Sequence, residues 1–267
     1  MQQHADRPDS GGPQAVDLAL SLLELISQSS QGMRLTDAAQ VLKVSKTRAY
    51  RLLSVLAERG YVRQEPISKR YFVGPMSLTL ASVASGGFQL RDVAREYLER
   101  LNRDTGETVH LAVYSHGEVI YIDKLDTVHA VGPKSDIGTK APAFCVSTGR
   151  ALLAFQPQEE VESILKSGLP RFTPETVTDP TIIQEMLEQV RRKGYAVNRG
   201  SWREGVCGVA APIRDRTGLV IASVGCCVPE SRFSRRAQRS LTAAVTAAGQ
   251  DISSQLGFHP ILKEVSD

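Results

Sequence analysis

The stretch VSKTRAYRLLSVLAERGYV, residues 44–62, opens on a capping residue, continues as a two-faced run and stops at a glycine. Ser45 has the side chain to cap a helix, and Gly60 has the freedom to close one in the left-handed conformation. At about 100° per residue, Ala49, Leu52, Leu53 and Leu56 fall on one side and form the expected buried stripe. The other side carries Thr47, Arg51, Ser54 and Glu58, flanked by Arg48 and Tyr50. Its first two turns offer hydroxyls, guanidinia and a phenol in place of the Glu/Lys mixture of a solvated face. Arginine can bond guanine O6 and N7 bidentately, Thr and Ser can meet base edges or phosphates, and a helix N-terminus favours phosphate. Taken alone, such a helix reads at least as readily as a basic solvent face. Its neighbours decide.

On its N-terminal side, AVDLALSLLELIS (residues 15–27) spaces Val16, Leu20, Leu23 and Ile26 or Ser27 as a first helix. After the turn SSQGMR, LTDAAQVL reads as a short second helix with Thr36 as its N-cap, and Ala39 is small enough for a close crossing. On the C-terminal side, YVRQ and RYFV read as two short strands around the Pro-containing turn EPISK, with Gly74-Pro75 ending the unit. Three helices and a hairpin give the layout of a winged helix-turn-helix over residues 14–74, behind a polar tail at 1–13. Lys46, Lys69 and Arg70 are expected to contact the nucleic-acid backbone, the last two from the wing. The apolar run MSLTLASVAS opens a linker helix over 75–87, read as packing on something, a partner chain among the candidates.

Charge points the same way. The first 74 residues hold ten bases against seven acids, and between residues 43 and 70 eight bases face only Glu58 and Glu65. The rest of the chain is neutral, so a polyanionic partner is expected at this end alone. Apolar residues at 42% and charged residues at 23% lie in the globular range. No apolar run reaches the roughly 18–20 residues that span a bilayer, and the polar start MQQHADRPDSGGPQ lacks a signal-peptide pattern. The reading is cytoplasmic. Cys145, Cys207, Cys226 and Cys227 show no CxxC spacing and are expected as buried free thiols.

From residue 88 onward the pattern is α/β. FQLRDVAREYLERLNRDTGE reads as a long helix with Leu90, Val93, Tyr97 or Leu98, and Leu101 inward. ETVHLAVYS and EVIYIDKLD alternate with period two around His116-Gly117, a hairpin signal. SILKSGLP and TIIQEMLEQVRRKG read as helices, GYAVNRG, VCGVAAPI and LVIASVGCCV as strands, and RAQRSLTAAVTAAGQDISSQLG as a final helix. Strands grouped as hairpins favour an antiparallel sheet with packed helices over a doubly wound fold, giving an α+β chain.

Two ordered segments, IGTKAPAFCVSTGRALLAF and REGVCGVAAPIRDRTGLVIASV, resemble the signatures of the IclR family of bacterial transcriptional regulators. The resemblance extends over residues 15–257. It implies a homodimer or homotetramer that binds palindromic operator DNA, represses or activates catabolic genes, and carries a C-terminal GAF/PAS-like domain over 88–267. That domain is expected to bind a small carboxylic, keto or aromatic acid. No cofactor, metal or catalytic residue is implied.

Carried over position by position, the effector site comprises Ser147 and Thr148 at a helix start, Asn198, Val206 and Gly208 before AAPI, and Gly225 and Cys227 on the next strand. Hydroxyls and N–H groups at a helix N-terminus suit a carboxylate, and period two turns Gly225 and Cys227 to one side. The family commonly has hydroxyls at that pair; a glycine and a thiol leave a wall that is enlarged or more apolar, suited to an aromatic or branched acid. Arg150, where the family often has lysine, is read as a surface ion-pair former. Trp202 reads equally as a lid or a loop anchor, and His110 and His129 as structural. Cys226 and Cys227 cannot share one strand face, which argues against a two-thiolate metal clamp. A thiol-based redox regulator and an enzyme are the competing classes. The apolar setting of the cysteines disfavours the first; the second lacks activated Ser/His/Asp or Cys/His spacing, GxxxxGK[ST] and HExxH.

Overall fold

The computed structural model describes residues 11–29, 31–84 and 89–259. Residues 1–10 of the tail, Ser30, residues 85–88 with Gly86-Gly87, and residues 260–267 lie outside the described part. The chain divides into two compact units, residues 1–88 and 89–267.

In the first unit, α1 (Gly11–Ser27), α2 (Leu35–Val41) and α3 (Lys46–Glu58) precede a two-stranded antiparallel wing, β1 (Val62–Gln64) and β2 (Tyr71–Val73). The cap of α3 forms as read: Ser45 accepts from the Arg48 N–H, and Gly60 has φ +75°. Lys43, with φ +52°, turns the chain between α2 and α3, while the Val44 N–H donates to the Ala39 carbonyl. Ala38, Leu53, Leu56, Val62 and Tyr71 close a core with Leu22 and Ile26 of α1.

Three local readings need correction. α1 starts at Gly11, inside the segment read as tail, and its buried face is Leu22 and Ile26, while Val16 and Leu20 are more than half exposed. The run is apolar on several sides, so periodicity offers two stripes; packing on α3 and β2 selects one. Thr36 is no cap. An isolated bridge between Met33 and Tyr71 holds the chain extended until Arg34, so the helix starts at Leu35 with Arg34 as an N-cap that lacks a side-chain bond. The Thr36 hydroxyl instead donates to Asp37 Oδ1 at 3.1 Å. Downstream, α4 (Met76–Ala84) occupies the described part of the linker and exposes Leu78 and Leu80.

The second unit is built on one six-stranded sheet. Its strands are β3 (Thr108–Ser115), β4 (Glu118–Leu125), β5 (Lys140–Pro142), β6 (Ala196–Arg199), β7 (Val206–Arg214) and β8 (Val220–Pro229). The order is β5-β4-β3-β8-β7-β6, and every neighbouring pair is antiparallel. His116 and Gly117, both at positive φ, make the β3–β4 turn. One face packs α5 (Gln89–Thr105) and α9 (Arg235–Gln255) against Val109, Leu111, Val209, Val224 and Cys226. The other packs α6 (Ser147–Leu153), α7 (Gln158–Lys166) and α8 (Pro180–Lys193) against Ala112, Val119, Tyr121 and Ala210. α8 is bounded by sequence chemistry: Asp179 caps Thr181 and Ile182, Pro180 sits in the first turn, and Gly194 closes it at φ +75°. The helix read through SILKSGLP ends earlier, at Lys166, and β5 is too short to alternate visibly.

Candidate functional site

The α3 face of the first unit is exposed along Lys46, Thr47, Arg48, Tyr50, Arg51 and Ser54, opposite the buried Ala49, Leu53 and Leu56. Its groups differ in availability. Arg48 Nη2 donates to Gln14 Oε1 at 3.1 Å, and the Ser54 hydroxyl bonds back to the Tyr50 carbonyl. Arg51 has no hydrogen-bond or ion-pair partner among the described residues. Thr36 on α2 is exposed as well. At the wing, Lys69 is exposed and takes φ +56°, whereas Arg70 is half-buried with Nη1 donating to the Gly32 carbonyl at 2.9 Å. Arg70 therefore braces the wing against the turn after α1, and only its remaining N–H groups are free.

The second unit holds a cavity of about 40 Å³ between the sheet and the start of α6. It brings together all seven residues named from the signature segments, Ser147, Thr148, Asn198, Val206, Gly208, Gly225 and Cys227. The start of α6 has no side-chain cap, so its first N–H groups remain available. Thr148 Oγ1 is buried and no group meets it at hydrogen-bond geometry, although the Tyr121 phenol is close enough to be affected by it. Asn198 is partly committed: its Oδ1 accepts the Ser201 N–H at 3.0 Å and its Nδ2 donates to the Val206 carbonyl at 3.4 Å. On the measure by which one water needs about 10–15 Å³, the space suits a molecule of only a few heavy atoms.

Glycines explain how α6 comes so near the sheet. A Cβ on Gly208 would lie 2.8 Å from Ser147 Oγ, and one on Gly225 would lie 2.9 Å from the Val209 carbonyl oxygen and 3.0 Å from Thr148 Cγ2. The enlarged wall expected at Gly225 is thus not there: Thr148 and backbone fill the volume that a hydroxyl-bearing side chain would take. Gly149 is tighter still, since its Cβ would stand 2.4 Å from the Ala143 Cα and carbonyl oxygen. Gly149→Ala is expected to force the start of α6 away from the turn that precedes it, cost about 1–3 kcal/mol as other overpacking changes do, and displace Ser147 and Thr148. A thermal melt read beside acid binding checks this: both fall together.

Several lining residues escaped the sequence. His110, Tyr121, Pro133, Lys134, Ser135 and Arg203 complete the wall. They lie on β3, β4 and two loops without a motif, and the pairings of β3 with β8, His110 opposite Gly225, and of β3 with β4 bring in His110 and Tyr121. Trp202 lines the cavity while packing on the α6-side core, and Arg203 lies 4.3 Å over its ring and bonds the Lys134 carbonyl. His129 lies 3.9 Å from Glu107, which Arg232 grips with two bonds of 2.7 Å. Arg150 is no surface residue: it is 4% exposed and bonds the Phe144 and Val197 carbonyls and Ser201 Oγ, with no carboxylate partner.

The cysteine environments favour the protonated thiol. Burial pushes the thiols of Cys145, Cys226 and Cys227 up to about 12 and also raises Cys207. Cys226 belongs to the α9-side core, and Cys227 follows it toward the cavity side. Among the described residues no His/Cys/Asp/Glu cluster is placed to hold a metal, and no helix is long and apolar enough to cross a membrane.

Comparison with known proteins accounts for both units. The family described as "Bacterial transcriptional regulator IclR C-terminal" matches residues 84–254, and the "IclR helix-turn-helix domain" matches 15–66. The HTH-type transcriptional regulator KdgR of Escherichia coli (strain K12) is 32% identical over 229 residues, covering 84% of this chain and 86% of its own. A crystal structure of an IclR transcriptional regulator from Silicibacter superposes with a TM-score of 0.80 at 28% identity, over 92% of this chain and 97% of that one. An IclR homologue from Microbacterium hydrocarbonoxydans, solved in complex with 4-hydroxybenzoate, superposes with a TM-score of 0.79 at 26% identity, covering 91% and 98%. With both domains matched in order, the chain belongs to the IclR family of bacterial transcriptional regulators.

Proposed function

We propose that this protein is an effector-responsive regulator that binds palindromic operator DNA as a homodimer or homotetramer in the cytoplasm and controls catabolic genes, without enzymatic activity of its own. The observation that carries the reading is the cavity, where seven residues from α6, β6, β7 and β8 converge on uncapped N–H groups and an unmatched hydroxyl. That chemistry favours a small organic acid, its carboxylate meeting Ser147 and Thr148. The α3 face, through Thr47, Tyr50 and Arg51 with Thr36, Ser45, Lys46, Arg48 and Ser54 around them, supplies the base-reading surface, and Lys69 and Arg70 the wing contacts.

A mobility shift with the DNA upstream of its own gene tests the DNA reading. Binding is expected to weaken with salt, with a log-log slope of about −0.9 per phosphate neutralised. Absence of any shift at low salt, with folded oligomer present, sinks it. For the effector half, Ser147→Ala is expected to weaken the response to acid by about tenfold, the scale of one hydrogen bond to a charged group, while operator binding without acid stays unchanged. If both change together, Ser147 is structural. The redox reading finds no support in thiols that burial holds protonated.

A further inference from the structure

The polar groups of the cavity do not all come from the signature segments. On the β3 side, His110 Nε2 lies 2.6 Å from Ser135 Oγ, and the imidazole stacks on Tyr121 with ring centres 4.3 Å apart and planes 24° from parallel. Burial, helped by the Lys124 charge, lowers the His110 pKa to about 4, so the ring is neutral at physiological pH. A neutral imidazole has one donor and one acceptor, and a serine hydroxyl has a donor and two acceptor sites. The single bond between them leaves both with unused capacity, and no other bond to the His110 ring or the Ser135 hydroxyl occurs among the described residues. Both line the same cavity as Ser147 and Thr148.

We propose that the His110–Ser135 pair, backed by Tyr121, is a specificity-determining element that binds a second, uncharged oxygen of the effector, a hydroxyl or oxo group, while Ser147 and Thr148 take its carboxylate. The inference rests on reading the cavity as an acid site. Two geometric facts carry it further. Tyr121 stacks its ring on His110 and lines the same cavity as Thr148, so the two polar groups share one wall. The cavity is small, about 40 Å³. An acid with its second oxygen on the carbon next to the carboxylate is the smallest that offers both groups.

Calorimetric titration of the full-length protein with lactate and with propionate tests this, since the two acids differ by one hydroxyl beside the carboxylate. The wild type is expected to bind lactate about tenfold more tightly, a difference set by one buried hydrogen bond. His110→Phe preserves the stacking on Tyr121 and is expected to bring the lactate-to-propionate ratio to about one. Ser135→Ala is expected to lower the same ratio without altering the ring, and serves if His110→Phe fails to fold. Equal affinity of the wild type for both acids overturns the inference and leaves the acid site standing. Equal loss of both acids in either folded variant makes the pair a structural tie and overturns it as well. Binding of neither acid by the wild type removes the acid-site reading together with the inference.

Discussion

Replacing Arg51 with alanine is expected to abolish operator discrimination while leaving the fold and the oligomer intact. Arg51 lies on the exposed side of α3, opposite Ala49, Leu53 and Leu56, so truncation opens no cavity. Its guanidinium has no partner to abandon, unlike Arg48, which is held by Gln14, and Arg70, which is held by the Gly32 carbonyl. A bidentate arginine–guanine contact is worth about 1–3 kcal/mol of discrimination. On the palindromic operator proposed above, two half-sites would double that, and specific affinity is then expected to fall by on the order of a hundredfold or more, to the level of random duplex. Competition between operator and scrambled DNA measures the loss, and a circular-dichroism melt verifies the fold. A loss shared equally by both duplexes, with a salt slope smaller by about one, would reassign Arg51 to the phosphates.

What sequence could reach depended on how local each cause is. The α3 stripe, its Ser45 cap and its Gly60 stop are decided within one helix, and the structure repeats them. The α1 stripe was misphased because leucines occupy more than one face, and only α3 and β2 choose between them. Thr36 fails as a cap because the Met33–Tyr71 bridge, set by a partner 38 residues away, fixes where the helix may start. In the second unit the signature segments identified residues that do share a cavity, but not the space between them. Gly225 suggested room, whereas the structure fills that room with Thr148. His110, Tyr121 and Ser135 were not legible as lining, since their proximity to Gly225 and Cys227 arises from the β3–β8 and β3–β4 registers.

Arg150 is the position where the sequence reading and the structure differ most, and its substitution is expected to have the largest effect on the second unit. Its guanidinium is buried among neutral partners: Nε on the Phe144 carbonyl at 2.8 Å, Nη1 on the Val197 carbonyl at 2.9 Å, and Nη2 on Ser201 Oγ at 3.4 Å. Burial lowers its pKa, and the nearby Cys145 thiol, itself pushed up to about 12, is not an anion that would compensate it. What the side chain achieves is a clasp between the turn before α6, strand β6 and the loop at Ser201, three segments next to cavity-lining residues. Arg150→Ala leaves the buried Phe144 carbonyl without a donor, at about 1–3 kcal/mol, deprives the half-buried Val197 carbonyl as well, and removes a packed stem. A total of about 2–5 kcal/mol is expected, which for a unit of this size lowers the melting midpoint by roughly 5–15 °C. Arg150→Lys keeps the charge but not the planar fork, so one ammonium cannot serve all three acceptors in the same geometry. It is expected to fall between wild type and Ala in the melt, and to loosen acid binding more than its stability loss suggests, because the Val197 and Ser201 ends of the clasp hold Asn198 and Trp202 at the cavity wall. A lysine variant as stable and as acid-responsive as wild type would show that charge at this position suffices and that the fork holds nothing in place.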